Sequence, residues 1–175
     1  MISQLTIMTG VGFLVEYGEM LRYDFEQSVG YWLTLATQAF HRAVSDEVAP
    51  HGITYRQSQV LAWLVLEGEL SQAELANKMM VEPPTLVGIL DRMERDGWIT
   101  RNSCPSDRRK KLIRATTAAA PVWKKIAEGG RRVRASATEG LTEHELETLK
   151  ELLGRVNCNL VGHRTRNSKP METLT

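Results

Sequence analysis

The stretch that decides the fold runs from residue 71 to residue 115 and reads SQAELANKMMVEPPTLVGILDRMERDGWITRNSCPSDRRKKLIRA. It opens with Ser71-Gln72-Ala73-Glu74, the pattern of a capping box, in which the serine and glutamate side chains satisfy free amides at a helix start. A second helix is predicted from Glu82 to Asp96, with prolines in its first turn and Gly97 as its stop. Two short helices in succession predict a helix-turn-helix.

The second half of this stretch predicts a β-hairpin, with strands at residues 98–101 and 110–115 joined by a turn at residues 104–107. Segment 101–114 holds six basic residues and one acid, although the whole chain has a net charge of only +1. The predicted tip carries Arg108, Arg109, Lys110 and Lys111. A merely solvated charged turn is the alternative, but the helices directly before it favour contact with a DNA backbone or a narrow minor groove.

Long amphipathic helices flank this predicted winged helix-turn-helix, and the last of them starts with a second capping box, Thr142-Glu143-His144-Glu145. Their apolar residues recur every three or four positions: Val29, Leu33, Ala36, Phe40, Val44 and Val48 in the first, and Leu146, Leu149, Leu153, Val156 and Leu160 in the last. Such stripes have to be covered, and a second copy of the chain is the expected cover. The predicted fold class is therefore mainly α with a small β-hairpin, a winged helix-turn-helix with flanking dimerisation helices.

The corresponding domain boundaries follow from these elements. Residues 54–116 form the predicted winged domain, and residues 28–53 and 117–162 form the predicted helical dimerisation region. Residues 1–27 are an N-terminal extension for which the sequence predicts neither order nor disorder. Residues 163–175 are a polar tail. In the helix after the hairpin, Gly129-Gly130 predicts a bend or soft point, because glycine disfavours a helix interior.

Composition and motifs argue against several other classes of protein. The apolar run Val11–Val15 is too short for a signal peptide or a membrane span, so the cytoplasm is the expected location. The two cysteines form no CxxC pair, and the four histidines have no metal-ligand spacing. No phosphate loop, paired-carboxylate site or nucleophile elbow stands out. We therefore expect no catalytic residues, no metal and no cofactor.

Four segments together resemble the MarR family of regulators, and specifically its SlyA branch. They are SQAELA at 71–76, LDRMERDGWI at 90–99, SDRR at 106–109 and Leu112-Ile113. The resemblance spans roughly residues 29–160. It implies a homodimeric transcriptional regulator that binds palindromic promoter DNA and is often relieved by small aromatic acids. Redox-sensing members of the family use a cysteine in the first helix, which this chain lacks. Cys104 has basic neighbours in the sequence, and whether it is redox-active stays open.

The resemblance also implies site residues. It places base contacts around Pro84, Thr85 and Gly88, a minor-groove arginine at Arg108, and a wing-orienting ion pair between Asp91 and Arg109. Glycine at position 88 replaces a longer side chain found in some relatives, so one base or ligand contact is expected to be missing.

From the residues themselves, Arg92 can add a phosphate contact or can pair with neighbouring acids on its own helix. Phe40, His41, Gln57 and Trp63 could line a cleft between the dimerisation helices and the winged domain, and ordinary packing is the alternative. The resemblance implies that such a cleft would bind an aromatic anion.

Two other functions stand as alternatives to a DNA-binding regulator. A winged-helix module can use its hairpin to bind protein, as in some methyltransferases, but such enzymes need a large catalytic domain for which this chain has no room. A small enzyme has no supporting constellation of residues. The sequence predicts neither the operator nor the effector, and it does not distinguish repression from activation.

Overall fold

The computed structural model describes residues 24–103 and 110–167, with residues 163–167 described as backbone only. Its elements are α1 (Val29–Val48), α2 (Tyr55–Glu67), β1 (Leu70–Ser71), α3 (Gln72–Met79), α4 (Pro83–Arg95), β2 (Ile99–Ser103), β3 (Lys111–Ala115), α5 (Ala120–Ala137) and α6 (Glu143–Asn167). The predicted fold class is confirmed. Cys104, Arg108, Arg109, residues 1–23 and residues 168–175 lie outside the described residues. Helix α6 continues beyond Gly162 into the segment predicted to be a polar tail.

The chain divides into two units at the boundary between Ala39 and Phe40. In the first unit, a turn leads into α1. The Gln27 amide donates to Asp24 Oδ1 at 3.2 Å, and the Trp32 indole N–H donates to the Glu26 carbonyl at 2.9 Å. These local bonds define where α1 begins.

The second unit is built around the winged helix. Its core consists of apolar side chains from α1 to α5 and all three strands, and the largest fully buried ones are Val48, Val60, Leu61, Leu75, Leu86, Leu90, Met93, Ile99 and Ile113. On α4 the buried positions 86, 89, 90 and 93 follow the helical period, so one face of this helix is committed to the core. The opposite face is left for other contacts.

A three-stranded antiparallel sheet in the order β1-β3-β2 replaces the simple hairpin expected from the sequence. Strand β3 lies in the middle, where Ile113 pairs with Leu70 on one side and with Arg101 on the other. Strand β1 has only two residues, and its second, Ser71, is also the N-cap of α3. The sheet therefore joins the wing directly to the start of the helix-turn-helix.

Capping boxes start the described helices α2, α3 and α6. Ser71 and Glu74 form the predicted box on α3, and Thr142 and Glu145 form the predicted box on α6. Hydrogen bonds from the Ser71 side chain and backbone lower the pKa of the Glu74 carboxyl. Because each box links residues only three positions apart, both could be recognised from sequence.

Helix α5 runs without interruption through Gly129 and Gly130. Gly129 is buried, and a Cβ atom added there would lie 3.0 Å from Cβ of Glu47 on α1. The Glu47 carboxylate accepts hydrogen bonds from Nε and Nη2 of Arg132 at 2.9 and 2.6 Å, and this interaction lowers the pKa of Glu47. The glycine therefore allows α1 and α5 to approach closely.

The turn between α3 and α4 contains a strained residue, Met80, whose φ of 49° lies in the left-handed region and whose side chain is 90% exposed. Met80→Gly should raise the free energy of unfolding by about 0.5 kcal/mol, because relief of the strain exceeds the added chain entropy of glycine. Urea unfolding measures this change. Met80→Ala keeps the strain and is the control, so an equal gain from alanine would contradict the argument.

Candidate nucleic-acid interface

Helix α4 presents a small, polar outer face. Pro84, Thr85 and Arg92 are exposed and Gly88 is partly exposed, so all four predicted contact positions on this helix lie away from the core. Within the part of the chain that the structure describes, Arg92 takes part in no ion pair, whereas Arg95 lies 3.4 Å from Asp96. Arg92 is thus available for an external anion.

The N-terminus of α4 offers fewer free amides than a typical helix start. Pro83 and Pro84 have no N–H, and Glu82 provides no side-chain cap. The Leu86 amide already donates to the Glu82 carbonyl at 3.2 Å. Besides the exposed carboxylate of Glu82, the polar groups at this helix end are therefore the amide and hydroxyl of Thr85.

Arg101, on strand β2 of the wing, makes several polar contacts with α4. Arg101 Nη2 donates to Asp91 Oδ1 at 2.6 Å and to the Val87 carbonyl at 3.4 Å, and Arg101 Nε lies 3.5 Å from Glu94 Oε2. The Arg101 side chain is only 19% exposed. Since the guanidinium joins β2 to one side of α4, it sets the orientation of the wing relative to the helix.

Sequence reasoning missed this role of Arg101 by counting the residue among the cations of the wing. The strand periodicity did contain a signal for this role. Alternate residues of a strand share a face, so Arg101 lies on the same face of β2 as Ile99, which is buried. The predicted partner of Asp91 was Arg109, which lies outside the described residues; the partner that the structure places on Asp91 is Arg101.

The basic residues of the wing are arranged unevenly. Strands β2 and β3 pair as far as Ser103 and Lys111, and the Lys111 ammonium donates to Ser103 Oγ at 3.0 Å. Nε of Arg114 lies 3.8 Å from Oε2 of Glu69. Lys110 is exposed at the end of the described strands. With Arg101 turned toward α4, the exposed cations among the described residues of the wing are Lys110, Lys111 and Arg114.

The four predicted effector-site residues all lie in the second unit but have different surroundings. Phe40 is 46% exposed, and the His41 ring lies 4.5 Å from the Tyr55 ring, centre to centre. Burial raises the pKa of the Tyr55 phenol. The Lys78 ammonium lies 5.0 Å from the centre of the Trp63 ring, in a cation–π contact.

Gln57 has a structural task at the start of α2. Its side-chain oxygen accepts hydrogen bonds from the amide and the hydroxyl of Thr54, at 2.9 and 3.0 Å. Only 5% of the residue is exposed. Thr54 and Gln57 thus form the third capping box, in which the side-chain oxygen of Gln57 is already hydrogen-bonded within the protein.

Two other kinds of feature are absent from the described ranges. Residues 24–103 and 110–167 contain no trio of His, Cys, Asp or Glu placed to hold a metal ion. Nor does any helix in those ranges combine the length and hydrophobicity that a membrane crossing requires.

The sequence and the fold of this chain are similar to those of MarR proteins. A sequence model of the MarR family matches residues 53–111. The apo form of MarR from E. coli is 28% identical, with 74% of this chain and 96% of that chain covered and a TM-score of 0.66. A cysteine-to-serine mutant of E. coli MarR complexed with operator DNA is also 28% identical, with 73% and 92% covered and a TM-score of 0.65.

The fold extends to a more distant structure. Bordetella bronchiseptica BpsR, whose DNA binding is described as regulated by 6-hydroxynicotinic acid, is 22% identical, with 78% of this chain and 98% of that chain covered and a TM-score of 0.67. That likeness concerns the fold alone. Residues 53–111 are therefore similar in sequence to the MarR family, and the described chain has the fold of MarR-type regulators.

Proposed function

We propose that this chain is a homodimeric transcriptional regulator of the MarR family, in its SlyA-like branch, which acts in the cytoplasm and binds palindromic promoter DNA. The observation that carries the proposal is the exposed outer face of α4, held beside a basic wing by the contacts of Arg101. The likeness to a MarR protein complexed with operator DNA supports it.

In the proposed complex each copy contributes one reading unit. Pro84, Thr85 and Gly88 approach base edges in the major groove, and Arg92 contacts a phosphate. The wing cations Arg108, Arg109, Lys110 and Lys111 reach the flanking backbone and minor groove, with Arg109 also pairing with Asp91. Two copies related by a twofold axis would place their recognition helices roughly 34–36 Å apart, which matches successive major grooves on one face of DNA.

Dimerisation is proposed because α6 has an apolar face that the described part of the chain leaves exposed. The exposed apolar side chains on this face are Leu149, Leu152, Leu153 and Leu160. A helix with such a stripe needs an apolar partner in water. The first half of α1 likewise exposes Val29, Trp32 and Leu35. A second copy of this chain is the partner we propose for these surfaces, in keeping with the twofold symmetry of palindromic DNA.

An aromatic acid is the proposed effector, bound near Phe40, His41 and Trp63, with Gln57 fixing the start of α2 beside them. The regulation of BpsR by 6-hydroxynicotinic acid, an aromatic acid, supports this choice of ligand class. Such a ligand would release DNA by binding more tightly to a dimer whose winged domains are spaced wrongly for successive grooves.

Titration of the chain against DNA from its own upstream promoter region, over a series of salt concentrations, tests the proposal. We expect a shifted complex whose affinity falls steeply as salt rises, because bound cations displace counterions from phosphates. No complex at low salt would instead favour a module that uses its hairpin to bind protein.

Two substitutions should separate backbone contacts from base reading. Arg108→Ala should weaken binding to all sequences and reduce the salt slope by about 1 per copy. Thr85→Ala should leave the slope unchanged and alter the base preference at one position of each half-site. Lys124→Ala removes an exposed cation from α5 and is the control. Equal, salt-independent effects of Arg108→Ala and Thr85→Ala would contradict these roles.

A further inference from the structure

The first two turns of α4 lack the side chains that usually read bases by paired hydrogen bonds. Those side chains are Arg, Lys, Asn and Gln. Residues 83–90 read PPTLVGIL and contain none of them. The hydroxyl of Thr85 is the only polar side-chain group in that octapeptide. The outer face of these two turns therefore has little means of reading sequence through hydrogen bonds.

Gly88 lies in the middle of α4 at a cost to the helix. Glycine in a helix interior lowers stability by about 1 kcal/mol relative to alanine. A Cβ atom built at Gly88 would have nothing within 4 Å, so packing among the described residues does not require a glycine. The missing side chain leaves room for a group that approaches the helix from outside the chain.

Val87, the neighbour of Gly88, is an apolar side chain that the fold leaves 37% exposed. Its backbone carbonyl accepts the hydrogen bond from Arg101 of the wing. Valine has one strongly preferred rotamer in a helix, so its two methyl groups are held in position before any partner binds. Its surface thus suits an apolar group rather than a polar one.

The major groove of DNA offers one apolar group at its base edges, the C5-methyl of thymine. We propose that Val87 reads thymine methyl groups in the operator, and that Gly88 lets the helix come close enough for this contact. The inference rests on the proposed DNA-binding function and specifies how that function selects a sequence. Discrimination then depends on apolar contact at these positions.

Selection of duplexes from a library with a randomised centre, followed by replacement of thymine with uracil, tests the inference. Uracil keeps every hydrogen-bonding group of thymine and lacks only the methyl. For the wild-type protein, uracil at one thymine of each half-site should lower affinity by about fourfold per methyl lost. Val87→Ala should bind the thymine and uracil duplexes with nearly equal affinity. Val65→Ala, at an exposed valine on α2, is the matched control and should keep the wild-type difference.

Gly88→Ala provides a second readout that a purely structural role would not produce. Alanine should raise the Tm, because it is the better helix former, and should weaken DNA binding severalfold by holding the helix away from the bases. A variant that is more stable and binds DNA as tightly as wild type would overturn the close approach.

The outcomes separate this inference from the proposed function. If selected duplexes bind equally well with thymine or uracil at every position, or if Val87→Ala keeps the difference, methyl reading is wrong and DNA binding still stands. If no duplex is selected from the library at low salt, the proposed function itself fails.

Discussion

Leu153→Glu should convert the protein from a dimer to a monomer and lower its affinity for operator DNA by at least about 100-fold. Leu153 is 42% exposed on α6, in the centre of the apolar stripe that we assign to the dimer interface. A carboxylate there would have to be desolvated on association, which is costly without a partner. A monomer also loses the advantage of binding two half-sites through one linked molecule.

Sedimentation measures the oligomeric state, and fluorescence anisotropy measures DNA affinity. His144→Glu adds a carboxylate at an exposed position on the polar side of the same helix and should leave both unchanged. Circular dichroism should show that Leu153→Glu keeps its helices, because α6 contributes no side chain to the described core. A Leu153→Glu protein that remains dimeric would exclude this stripe as the interface.

The largest expected loss of stability follows Leu90→Ala, which should lower the free energy of unfolding by about 3 kcal/mol. Leu90 is fully buried on the inner face of α4. Its truncation removes apolar contacts and leaves a cavity beneath the recognition helix, because the close-packed surroundings relax only in part. We expect weaker DNA binding as a consequence of the lost stability.

Urea unfolding at a fixed protein concentration measures the change, since the apparent stability of a dimer depends on concentration. Val87→Ala, three residues earlier on the exposed side, should change stability by no more than about 0.5 kcal/mol while altering DNA recognition. A loss below about 1 kcal/mol for Leu90→Ala would mean that this position is not the anchor of α4.

The features that could be predicted from sequence depend on neighbours a few positions apart. The boxes of Ser71 with Glu74 and of Thr142 with Glu145 were recognised because both partners lie within one helical turn. The inner face of α4 could be predicted because burial follows the helical period. The predicted contact positions on α4 lie on its outer side for the same reason.

Tertiary structure decided the contacts between residues far apart in the chain. Strand β1 has only two residues and no recognisable pattern, and it exists because Leu70 pairs with Ile113. Arg101 looked like one more wing cation until the fold placed it beside Asp91. Gly129 looked like a soft point, yet its lack of a side chain allows α5 to lie close to Glu47.

The sequence by itself thus determined the helices, their buried faces and the winged-helix class, because hydrogen bonding and side-chain periodicity within an element act over a few residues. Only the tertiary structure decided which charged groups pair and which apolar surfaces stay open, since these depend on where distant elements meet. The ion pair between Asp91 and Arg101 is an example of such a charge pairing, and the exposed side chain of Val87 is an example of such an apolar surface.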